Sequence, residues 1–295
     1  MTDKCNNPKA PRPARRLACS ILLALATGGF PALAAPSPAP AEQAAPATIS
    51  YARVADLVTS VSAVATVRVR SATPLKRERT PDLAPGRARF YIEADTIGLI
   101  RGDSVMATRV SFLLDGPDSK AAGKSLRKRS FLIFGKIGPQ VGQFQLASST
   151  ALVAWSPANE ALVRKAIREM LAHDAPPAIT GISSAFHVPG AILGEGETQV
   201  FLETADGTPI SLSIIRRPDE QPQFSASLGE IVDDSASFPA PDTPLWYRLA
   251  CSLPDALPPR ALSGLEPADA TSAARDYNAF HQALAPCNRT PQPVF

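Results

Sequence analysis

Valine alternates with arginine over Val67-Arg68-Val69-Arg70, and this period of two predicts a strand with one buried and one wet face. Phe90 and Ile92 alternate with Arg89, Tyr91 and Glu93 in the same way. Apolar runs at residues 110–114, 131–137 and 151–155 predict further strands, separated by turn residues such as Asp115-Gly116-Pro117. The period then changes. Ser156 is a good N-cap, Pro157 suits the first helical position, and Leu162, Val163, Ala166, Ile167, Met170 and Leu171 make one apolar stripe. Glu160 with Arg164 and Lys165 with Glu169 stand four apart on the wet side, and Pro176-Pro177 ends the helix.

Beyond residue 179 the alternation returns. Segments 198–204 and 210–215 flank Ala205-Asp206-Gly207 and predict a hairpin, in which Val200 and Leu202 meet Ile210, Leu212 and Ile214. Strands are also predicted at residues 224–228 and 245–251. A loop with Pro254, Pro258 and Pro259 leads to a helix near residues 267–285, whose apolar face offers Ala270, Ala273, Tyr277, Phe280 and Leu284. The expected fold class is a β-rich α+β chain of two small domains, residues 48–175 and 176–295. The second is an antiparallel sheet with a C-terminal helix.

The order of elements in the first domain resembles an OB-type small barrel with a closing helix: three strands, a polar stretch at residues 118–129, then two strands. Such a fold does not assign a function. The whole chain is similar in make-up to uncharacterised exported bacterial proteins, a resemblance that implies no activity.

The first residues follow the order of an export signal. Lys9, Arg12, Arg15 and Arg16 precede an apolar run at residues 17–26, and Ala32-Leu33-Ala34 offers a small-x-small cleavage site before Ala35. Residues 1–34 are therefore expected to be a cleaved signal peptide, residues 35–47 a Pro/Ala-rich linker, and the mature protein periplasmic or secreted. The apolar run is shorter than the about 20 residues a membrane-spanning helix needs, and no second such run follows. The twin arginine lacks the residues expected behind a twin-arginine signal, and Cys19 stands at the start of the apolar run rather than after it, badly placed for a lipoprotein cleavage site, so soluble export by the general route is expected.

Removing that segment changes the charge picture. Residues 35–175 hold 19 Lys/Arg against 12 Asp/Glu, a net of 19 − 12 = +7. Residues 176–295 hold 6 against 14, a net of 6 − 14 = −8, with no lysine. The asymmetry supports a boundary near residue 175.

Two cysteines remain after cleavage, Cys251 and Cys287, and an even pair in an oxidising compartment predicts a disulfide. Candidate chemistry is sparse. His173 sits at a helix end and His281 on the C-terminal helix. His187 precedes Glu195 and Glu197, whose spacing matches no ligand pattern, so a solvated turn is expected there and no metal. Gly181-Ile182-Ser183-Ser184-Ala185 lacks the second glycine of a nucleophile elbow, and Asp233-Asp234 reads as a solvated acidic pair. No catalytic residue and no cofactor is expected.

Basic residues are the enriched feature. Arg68 and Arg70 share one strand face, as do Arg87, Arg89 and Tyr91; Lys124, Arg127, Lys128 and Arg129 form a second cluster. These nine are the candidate binding residues, for an unknown protein or an anionic envelope component. Nucleic acid is the poorest partner, because Tyr91 alone on that face could stack on a base. The expected function is a non-enzymatic periplasmic or secreted binding protein; the alternative is an envelope hydrolase using carboxylates of the second domain.

Overall fold

The computed structural model describes residues 48–229 and 236–295. The expected signal peptide, the linker and Asp233-Asp234 lie outside the described residues.

The first sheet is built around β1 (Ala63–Pro74), which pairs antiparallel with both β2 (Arg87–Arg101) and β4 (Ser130–Ile137). β2 pairs with β3 (Arg109–Pro117), while β4 pairs with β5 (Phe144–Leu146) and with β6 (Leu152–Ala154). A parallel bridge between Ser111 and Gln143, with the Ser111 amide donating to Gly142 at 2.7 Å, joins β3 to the start of β5. The order thus closes as β1-β2-β3-β5-β4-β1, a five-stranded barrel of the OB type. The alternation that marked the strands fills it: Val67, Val69, Phe90, Ile92, Phe112, Leu114, Phe131 and Ile133 are all buried inside. Gly135 is needed at the β4–β5 crossing, because a Cβ there would stand 1.9 Å from the Gln145 carbonyl oxygen. Short α2 (Lys120–Leu126) packs Ala122 and Leu126 into this core, within the stretch expected only to be polar.

Two further helices differ from the sequence reading. α1 (Tyr51–Ser60) precedes the barrel; Ser50 caps it by accepting from the Arg53 amide, and Tyr51, Val54, Ala55, Leu57 and Val58 are buried. Its C-terminal carbonyls are met by Arg101, whose Nη1 donates to Val58 at 2.7 Å and to Val61 at 2.6 Å. The segment expected as a strand at residues 245–251 is instead helix α4 (Pro244–Ser252). Thr243 accepts from the Trp246 amide and Pro244 opens the first turn. A short apolar run fits either period, and the cap decides it.

α3 (Pro157–Met170) forms as expected, capped by Ser156. The second sheet has the order β10-β9-β8-β7, all antiparallel: β7 (Ile179–Pro189), β8 (Gly196–Thr204), β9 (Ile210–Arg216) and β10 (Gln223–Ser227). The expected hairpin is present, with Val200 facing Leu212 and Leu202 facing Ile210. α5 (Pro267–Ala283) lays Ala273, Tyr277 and Phe280 against this sheet. One apolar cluster runs from α1 and α3 through Val64, Phe134 and Val153 on the barrel to β8, β9, α4 and α5.

Cys251, on α4, and Cys287, just past α5, form a disulfide with Cα atoms 5.2 Å apart. The strand expected to carry Cys251 is the helix described above. Past the disulfide the chain returns to the barrel: Arg289 pairs with Asp56 at 3.1 Å, Val294 enters the barrel core, and the Phe295 ring lies 6.2 Å from Phe90. Among the described residues no helix is long and apolar enough to cross a membrane.

Candidate functional site

Barrel closure places the outer faces of β2 and β3 beside β5 and the loops that flank it. A groove of about 680 Å³ runs along this junction. Tyr91 on β2 and Leu113 on β3 are register partners and stay 41% and 49% exposed on its wall. Ser111, Gln140, Gln143, Gln145, Ser148 and Ser149 supply uncharged hydrogen-bonding groups around them.

Among the described residues, the charged ones lining the groove are Arg89 and Asp115. They are register partners, and the guanidinium meets the carboxylate twice, Nε to Oδ1 at 2.7 Å and Nη2 to Oδ2 at 2.9 Å. Arg89 also reaches Asp82 at 3.0 Å. The hydrogen bond from Arg89 holds the Asp115 carboxyl below the usual carboxylate range, and the same bond raises the guanidinium further. The groove therefore carries little net charge from its own lining.

The nine basic and aromatic candidates separate into different environments. Arg89 and Tyr91 line the groove. Arg87 donates to the Asp115 carbonyl at 3.2 Å, and Arg70 pairs with Asp95 at 3.2 Å. Arg129 stays exposed but is held along the chain's end: it donates to the carbonyls of Ser125 and Val294, at 3.2 and 3.0 Å, and lies 4.9 Å over the Phe131 ring. Arg68, Lys124, Arg127 and Lys128 are exposed and have no carboxylate partner among the described residues. Lys128 is held beside β1 by its own amide, which donates to the Val69 carbonyl at 2.8 Å, with Lys128 in the left-handed region at φ 64°.

Reading the sequence for charge missed the neutral lining. Gln140, Ser148 and Ser149 lie in turns and Gln143 in the bridge to Ser111, none within a motif, and only the β3–β5 closure brings them to the groove that Tyr91 lines.

The acidic half holds a different polar centre. Asp276 on α5 is fully buried. Its Oδ2 accepts from Thr198 at 2.6 Å, and its Oδ1 meets Arg216 and also Arg275, the latter at 3.2 Å. Thr198 contacts His187 Nδ1 at 2.9 Å. Because the Thr198 proton goes to Asp276, the His187 nitrogen must be the donor of that bond. His187 thus lies on β7 with a side chain only 6% exposed, where a solvated turn was expected. Among the described residues no cluster of three or more His, Cys, Asp or Glu is placed to hold a metal ion.

Compared with known proteins, the chain matches no family model and no curated sequence.

Proposed function

We propose that this chain is an exported, non-enzymatic binding protein that holds an uncharged, polar, chain-like ligand, of the oligosaccharide class, in the barrel groove. The observation that carries this reading is the lining. Tyr91 and Leu113 offer a flat amphipathic platform, six uncharged polar side chains surround it, and the one ion pair is satisfied within itself. Sugar rings present apolar faces and hydroxyl edges, which suit such a platform with neutral donors and acceptors. Export rests on the order of charge, apolar run and cleavage site in residues 1–34, and the disulfide is compatible with an oxidising compartment.

A second reading has its own observation. Arg68, Lys124, Arg127 and Lys128 lack carboxylate partners among the described residues, so an anionic envelope polymer could engage that corner of the barrel. The hydrolase alternative has less support. Asp276, the fully buried carboxylate of the second half, is committed to two guanidinium groups and Thr198.

Calorimetric titration of the mature protein with neutral hexasaccharides (chitin-, cellulose- and starch-derived) and with dextran sulfate, at low and high salt, tests the choice. The groove reading expects binding of at least one neutral chain with little salt dependence. Binding of dextran sulfate alone, abolished by salt, would reject it in favour of the basic corner.

A further inference from the structure

β7 is an outer strand of the second sheet, and only its first half is covered. Gly181 lies against the side chains of Glu203 and Arg260, and the irregularities in its pairing fall between residues 179 and 184. Along residues 184–188, no backbone group beyond β8 pairs with the strand among the described residues. Open edges are normally blunted by lysine, proline or a bulge. This stretch has none of them: the half-chain has no lysine, and Pro189 comes only at the strand's end.

The side chains match the open backbone. His187 turns toward α5 through Thr198, so Phe186 and Val188 share the opposite face, where they are 55% and 65% exposed. Phe186 is steadied by an edge-on contact with Phe201 at 5.8 Å. Ile192 and Leu193, in the turn that follows β7, add two further exposed apolar side chains, 63% and 99% exposed. Apolar groups two residues apart beside unpaired N–H and C=O groups are the geometry of strand addition.

We propose that an extended segment of another polypeptide, apolar at alternate positions and flanked by Lys or Arg, adds to this sheet as a fifth strand beside residues 184–188. Charge selects this occupant. Residues 176–295 carry a net of 6 − 14 = −8, and Glu195 and Glu197 border the patch. A second copy docking edge to edge would bring two −8 halves together, and an anionic bilayer would meet the same repulsion. A basic-flanked strand gains from it.

The probe is a synthetic peptide of alternating valine and threonine with two lysines at each end, added to the mature protein. Amide hydrogen exchange should slow at least about tenfold within residues 184–188, and replacing the central valine of the peptide by proline should abolish the effect. Phe186→Lys should weaken binding at least about tenfold. Leu193→Ser, at an exposed turn that cannot unfold the sheet, should weaken it measurably. Unchanged exchange, equal binding of the proline peptide, or equal binding by both variants would overturn the proposal. So would self-association or anionic-vesicle binding of the mature protein that Phe186→Lys abolishes.

Discussion

Arg89 and Asp115 face each other across β2 and β3 and join through two parallel hydrogen bonds of 2.7 and 2.9 Å. A residue that counts in the sequence as a free cation is thereby turned into half of a neutral pair on the groove wall. The +7 of the basic half is consequently not one continuous field. Asp82, Asp95 and Asp115, already counted in that net, stand beside Arg70 and Arg89 and leave the unpaired cations elsewhere on the barrel.

Asp115→Asn should remove the bidentate pair at a cost of about 1 kcal/mol, the upper range for a partly exposed pair. Asp115 is held below its ordinary range, so its contribution is complete above about pH 4 and fades as pH falls through the lower folded value. Thermal melts from pH 6 to pH 2 should therefore show wild type and variant converging in acid. The variant should also gain salt-sensitive binding of dextran sulfate, because it removes one carboxylate and leaves Arg89 with Asp82 alone.

Three of the four tyrosines are poised the other way. Burial raises the phenols of Tyr51, Tyr247 and Tyr277, helped at Tyr51 by Glu169 and at Tyr247 by Asp56. A raised folded value means that their contribution is fully present below the ordinary phenol value of about 10 and is lost as pH climbs above it. Phenolate absorbance for these three groups should rise together with unfolding, in one alkaline transition followed by circular dichroism. Full ionisation of all tyrosines in a still-folded protein would contradict this.

The disulfide closes a loop with a sequence separation of 36 and anchors α4 to the chain leaving α5. Cys251→Ser or Cys287→Ser should cost about 4 kcal/mol on the chain-entropy estimate, and denaturant titration with and without reductant measures it.

What was legible in the sequence follows from one-sided burial. Val67-Arg68-Val69-Arg70 and the residue 198–215 hairpin each have a dry and a wet face, so their period shows. α4 lacked that contrast, since its apolar run is as short as a strand, and only Thr243-Pro244 marked its start. α1 carries its signal in Ser50 and the spacing of Tyr51, Val54, Ala55 and Val58, a stripe of under three turns set between the linker and the first strand. Cys251 and Cys287 were legible because few pairings were open. The groove was not, because its wall joins Tyr91 to Gln143 through a barrel closure that no local pattern encodes.

Gly116 shows how the returning chain is seated. A Cβ there would lie 2.3 Å from Phe295 Cζ, so Gly116→Ala must displace the ring from its place near Phe90. Because the ring belongs to a residue that is 41% exposed and can shift, a loss of at most about 1 kcal/mol is expected. In a Phe295→Ala background the same change should cost almost nothing. A double-mutant cycle by denaturant titration measures the coupling, and simple additivity would contradict the contact.

The most direct test of the binding groove is an amide-shift map of the mature protein titrated with the best-binding neutral hexasaccharide at high salt. The account predicts shifts centred on Tyr91, Ser111, Leu113, Gln143 and Gln145, with affinity reduced about tenfold by Tyr91→Ala. A groove left unmoved by every neutral chain, with shifts only around Arg68, Lys124, Arg127 and Lys128 on adding dextran sulfate, would contradict it.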